Sequence, residues 1–326
     1  MKDVAQNRWQ VVFIGCLIAN LLALLALPIE CLSAESSSEF RFEDAAGGGV
    51  KLWQGKQPVL VYHSEQVKQS GAAAVGNRAS YVHPIYGLDG EVITDDFPKD
   101  HYHHHGLFWG WPHVIIGGKD YDFWKMRGTE IKFKRWLSKE ADAKGATLAV
   151  ENEWMVGDKP VVREEARLFV HPATADGRLM EVRLKWTPLE QAITLGGAES
   201  KSYGGLSLRF APREDTVITV PSGPTSQDLL ITRLPWADLS ARFAGAKELS
   251  GAALFVDPHH PGYPLEWMTR AYGLLAVGWP GVKPQTVESG KTVTCAYGVW
   301  IHRGRVDAAR IQREYEAFSA GGGRNQ

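Results

Sequence analysis

Cysteine is nearly absent from the body of this chain: of three, Cys16 and Cys31 fall in the first 34 residues and only Cys295 lies beyond them. Once that segment is gone no intramolecular disulfide can form, so the fold has to rest on a packed core. An excess of one charge is lacking too. Basic residues number 36 and acidic ones 37, for a net charge of -1, which leaves no electrostatic footprint for nucleic acid or an anionic membrane surface. Also missing are a Gly-x-Ser-x-Gly elbow, a nucleotide-binding glycine loop, a Cys-x-x-Cys pair and a His-Glu-x-x-His spacing. Serine-hydrolase and nucleotide-dependent chemistry lose support accordingly. No repeat, linker or low-complexity block interrupts the sequence after residue 40.

Long hydrophobic runs are likewise scarce, with one exception. Lys2 and Arg8 precede an apolar stretch at residues 11–27, and Pro28 with the small residues around Ser33 and Ala34 follow it. Residues 1–34 therefore read as an export signal, cleaved after Ser33 or Ala34, and the expected destination is periplasmic or secreted. The stretch is nearly long enough to span a bilayer, so an uncleaved anchor at residues 11–27 is the other reading. Glu30 occupies the place where a lipid-attachment site carries a small residue, so Cys31 is not read as one.

What the chain does have is β-pattern and tryptophan. Short segments rich in β-formers, separated by Gly and Asp-Gly turns, run from residue 40 almost to the end. The expectation is an all-β fold: one large two-sheet antiparallel β-sandwich, a supersandwich, over residues 35–320. A single C-terminal helix is expected at residues 306–318, with Ile311, Tyr315 and Phe318 as its apolar stripe, and a frayed tail at 321–326. Many of the twelve tryptophans are expected in the core, but exposed indole faces are platforms for sugar rings, so the count favours a carbohydrate ligand.

The densest chemistry lies between Asp95 and Trp111. Four of the eleven histidines, His101, His103, His104 and His105, sit within five positions. In an extended segment His101, His103 and His105 share one face and His104 takes the other. Three such imidazoles can shuttle protons, hydrogen-bond a polyhydroxylated ligand, or bind a divalent metal such as zinc. Asp96 and Asp100 can orient them, and Trp109 offers a flat apolar face. A second dense group spans residues 257–270, where prolines hold His259 and His260 on a rigid loop and Glu266 and Arg270 have helical i,i+4 spacing. Glu165 is a candidate acid or base; Glu164 beside it points the opposite way in a strand. Lys201, Tyr203 and Arg209, with Trp267 and Arg270, are candidates for holding substrate.

These residues resemble a bacterial family of unknown function called PmoA-like. The likeness rests on Tyr81-Val82-His83-Pro84, Asp96-Phe97-Pro98, the block ending His105-Gly106-Leu107, and Tyr203-Gly204-Gly205-Leu206 with Arg209. It continues through Pro258, His260, Pro264, Trp267 and Arg270 to Trp300-Ile301-His302, about the whole mature chain. The methane chemistry of that label belongs to a bundle of transmembrane helices, which one hydrophobic segment cannot build. More distantly, the β series with its His-Gly step resembles galactose-mutarotase-like supersandwiches, which implies a sugar ligand without fixing a reaction. That resemblance implies His105 and His260 as an acid/base pair. The expected function is an exported carbohydrate-active hydrolase, lyase or epimerase using His103, His105, His260 and Glu165, with His101, His103 and His105 as the metal set. The competing expectation is a non-catalytic sugar-binding or metal-binding protein.

Overall fold

The computed structural model describes residues 39–68 and 77–321; the expected export segment and most of the expected tail lie outside them. Alternation of apolar and polar side chains along the strands builds two nine-stranded sheets, antiparallel throughout. In spatial order the first sheet runs Phe40–Ala45, Gly49–Gln54, Gln57–His63, Tyr81–Ile85, Leu107–Gly110, Gly205–Arg209, Leu274–Gly278, Leu265–Arg270, Leu230–Leu234. The second runs Gly223–Thr225, Arg213–Val220, Trp236–Phe243, Ser250–Val256, Val293–Arg303, Gly177–Pro188, Lys159–Val170, Ala146–Val156, Thr129–Ala141. Leu60, Leu107 and Leu206 of the first sheet share one buried cluster with Val182, Leu184 and Leu239 of the second. The sheets therefore pack face to face as a sandwich. A third, four-stranded sheet was not expected from the sequence; it joins Gln285–Val287, Ile193–Gly196, His113–Ile116 and Lys119–Tyr121.

Helix α1 (Ala308–Gly321) closes the chain. The Asp307 carboxylate accepts the Arg310 N–H at 2.7 Å, which satisfies an orphan donor of the first turn. Its stripe of Ile311, Tyr315 and Phe318 covers Trp236, Phe255 and Trp300 on the second sheet. No helix among the described residues is long and apolar enough to cross a membrane.

One local expectation gives way, and one strand went unread in the sequence. Residues 265–270 form a strand, not a helical turn. Glu266 lies 3.5 Å from Arg233, and Arg270 reaches Asp228 at 3.0 Å, so the i,i+4 pairing is replaced by partners from elsewhere in the chain. Strand Trp236–Phe243 escaped the sequence reading because an aspartate and an arginine interrupt it. Asp238 is fully buried there and is satisfied by His302 Nε2 and Ser240 Oγ, both at 2.8 Å.

Candidate functional site

The first sheet has two faces with different chemistry. Strand Leu107–Gly110 sends Leu107 and Trp109 into the main core, while Phe108 joins Tyr81 and Trp124 in a small cluster on the opposite face. Strand Leu265–Arg270 does the same, with Trp267 inward and Met268 outward. The outward face carries the site.

The histidine block does not extend this sheet. His101 N–H bonds to Pro98 O and His104 N–H to His101 O, both at 2.9 Å, and Phe97 N–H to His104 O at 3.2 Å closes the loop. These i,i+3 bonds wind the segment into consecutive turns, so the expected strand alternation is lost. His101 and His104 stack at 4.6 Å with His103 edge-on to both, at 5.7 and 4.7 Å. Tyr272 stacks on the other side of His101 at 5.2 Å.

A pocket of about 280 Å³ opens beside this knot. His101, His103 and His104 form one wall, and Trp124, Tyr203 and Tyr272 supply aromatic surface. Lys125, Lys201 and Arg270 bring positive charge, and Met268 completes the lining. Burial, reinforced by the Lys125 charge and the neighbouring histidines, lowers the His103 pKa to about 3. Burial also drives His104 well below the ordinary histidine value. Both imidazoles are neutral near pH 7 and able to accept a hydrogen bond. The Tyr203 and Tyr272 hydroxyls are shifted the other way, chiefly by burial, and stay protonated.

Of the residues singled out in the sequence, His101, His103, Lys201, Tyr203 and Arg270 meet at this pocket. Arg209 serves the loop instead of a ligand. Its Nη2 donates to both Asp100 oxygens at 2.9 and 3.1 Å, and Asp100 Oδ2 lies 3.0 Å from His101 Nδ1. The charge pair ties the turn down onto the sheet. His105 is fully buried and lies behind the pocket wall. Its Nδ1 donates to Asp96 Oδ1 at 2.5 Å, and the Tyr81 hydroxyl donates to Asp96 Oδ2 at 2.9 Å. Burial raises the Asp96 pKa, but the His105 hydrogen bond and charge outweigh it and leave the carboxyl below its usual value. Beside it His83 donates to or accepts from Thr94 Oγ1 at 3.0 Å, and burial lowers its pKa to about 4.

The other candidates lie elsewhere. His260 is turned inward, with Nδ1–H on Pro261 O and the Tyr297 hydroxyl on Nε2, both at 2.9 Å. His259 is exposed and bonds Asp257. Neither lines the histidine pocket, and His105 does not line it either, so the acid/base pair of His105 and His260 implied by the resemblance is not found there. Glu165 sits on the second sheet, partly exposed, 3.9 Å from Lys185. Trp267 is buried and donates to Leu234 O at 2.8 Å. Trp109 is buried too, and its indole donates to Glu164 at 2.9 Å, so neither tryptophan offers a face to a ligand. Among the described residues no group of three or more His, Cys, Asp or Glu is placed to hold a metal ion. His101, His103 and His105 do not converge because His105 is drawn away by Asp96. Trp124, Lys125 and Tyr272 went unnoticed in the sequence; only the Phe-Trp-Lys and Arg-Ala-Tyr groupings hinted at them.

The structure thus defines an all-β sandwich with a histidine, aromatic and lysine pocket on the outer face of one sheet. Residues 49–316 match the model of a family of unknown function, DUF6807. The chain belongs to that family, and the match does not carry the PmoA-like name expected above. No curated protein matches. Among solved structures the chain is similar to the heparan sulfate lyase HepC from Pedobacter heparinus, at 8% identity and a TM-score of 0.39, over 83% of this chain and 36% of that one. It is also similar to a galactose mutarotase related enzyme from Lactobacillus acidophilus, at 8% identity and a TM-score of 0.36, over 81% of this chain and 97% of that one. The chain spans about a third of the length of the lyase.

Proposed function

We propose that this protein is an exported carbohydrate-active enzyme whose histidine pocket carries out acid/base chemistry on a sugar. The observation that carries the reading is the meeting of neutral His103 and His104 with protonated Tyr203 and Tyr272 around one pocket. A proton acceptor and a proton donor within reach of one bound ring are what an epimerase, lyase or hydrolase needs, whereas simple binding needs neither. Tyr203 and Tyr272 offer the apolar faces on which a sugar ring rests. His103 is the proposed base. The Tyr81–Asp96–His105 chain is proposed to hold the wall in place, and Arg209 with Asp100 to fix the loop. The competing reading, a non-catalytic sugar-binding module, draws on the same aromatic faces.

Turnover on a panel of plant and algal oligosaccharides separates the two. The wild-type protein is expected to release product, and His103→Ala to lower kcat by about 10²–10⁴-fold, the usual contribution of a general base. Binding of a sugar with no product from any member of the panel would favour the module and end the catalytic reading.

A further inference from the structure

We propose that the histidine pocket selects an acidic sugar, one bearing a carboxylate or sulfate, through Lys125 and Lys201. This rests on the reading of the pocket as a sugar site and names its substrate class. The argument begins with charge. The lining contains Lys125, Lys201 and Arg270 and no aspartate or glutamate. Arg270 is shared with Asp228 at 3.0 Å, whereas neither lysine has a carboxylate within ion-pair distance among the described residues. The chain as a whole is balanced, with a net charge of -1, so this pair of lysines without carboxylate partners is local and does not follow from composition. An anion placed in the pocket is attracted by both ammonium groups, with no carboxylate in the lining to oppose it.

The wall supplies two further observations. His104 is buried and its Nδ1 has no hydrogen-bond partner, although its ring lines the pocket. Lys125 also presses on His103, adding to burial in lowering its proton affinity. An anion beside Lys125 offsets that pressure and makes His103 a better base, so the ligand's charge assists the chemistry it undergoes. A pocket of about 280 Å³ lies at the small end of ligand sites and suits one sugar residue of a chain.

Titration calorimetry on the full chain tests this with galactose, galacturonate, galactose 6-sulfate and inorganic sulfate, at low and high salt. An acidic sugar is expected to bind about tenfold or more tightly than galactose, as a charged hydrogen bond allows, with the preference shrinking at high salt. Lys125→Gln and Lys201→Gln are each expected to remove most of that preference, read as the ratio of acidic-sugar to galactose affinity within each variant, with thermal melting confirming that both variants fold. The two acidic sugars identify which anion is taken. Galactose bound as tightly as either, or a preference that survives both lysine changes, overturns the inference and leaves the sugar-site reading intact. Inorganic sulfate bound as tightly as the acidic sugars, with no galactose binding, overturns both.

Discussion

Replacing Glu164 with alanine is expected to leave no soluble folded protein. Glu164 is fully buried between the sheets, and five donors converge on its two oxygens. The indoles of Trp109, Trp154 and Trp186 reach Oε2 at 2.9, 2.8 and 3.0 Å. Ser80 Oγ and Asn152 Nδ2 reach Oε1 at 2.9 and 3.0 Å. Trp109 and Trp186 come from different sheets, so one carboxylate ties the two layers together. Truncation strands the three indole donors, each at about 1–3 kcal/mol, against a total stability of about 5–15 kcal/mol, while Ser80 and Asn152 keep each other and Tyr62. Glu164→Gln keeps the volume but turns an amide NH₂ toward donors. It is expected to fold with a loss of about 2–4 kcal/mol, read in urea melts. A glutamine variant within about 1 kcal/mol of wild type would mean that these hydrogen bonds contribute little beyond packing.

Acid is expected to unfold the protein well above the range in which carboxylates titrate. Burial lowers His83 and His260 to about 4 and His103 to about 3, and it lowers His63 and His104 as well. The unfolded chain takes up these protons near pH 6.5 and the folded one does not. Between pH 6.5 and about 4 the unfolded state therefore binds more protons, and stability falls as pH falls. A buried histidine with a shift of this size contributes about 2 kcal/mol of loss by pH 5. Asp96 adds a further loss only below its own unfolded value, since its folded pKa is depressed. The melting temperature should drop steeply from pH 6.5 to 4.5, and His260→Asn, which retains a donor for Pro261 O, should flatten that slope. A melting temperature constant down to pH 4.5 would contradict the burial of these rings as neutral groups.

The alternation of β-formers, the scarcity of cysteine and the stripe of Ile311, Tyr315 and Phe318 determined the all-β class, the reliance on a packed core and the closing helix. These are local or compositional properties, and a strand's period of two or a helix's of 3.6 is written directly in the residues. The histidine block stood out as a candidate site because four imidazoles in five positions are visible without any fold. Tertiary structure alone decided which side chains gather around it. The i,i+3 bonds that wind His101 to His104 into turns win over strand alternation because Asp100 and Arg209, 109 positions apart, clamp the loop. His105 leaves the pocket for Asp96, and Trp109 turns inward to Glu164, since a buried carboxylate must collect donors wherever the chain can supply them. Lys125, Lys201 and Tyr272 reach the pocket from three separate segments of chain, and sequence distance carries no record of such a meeting.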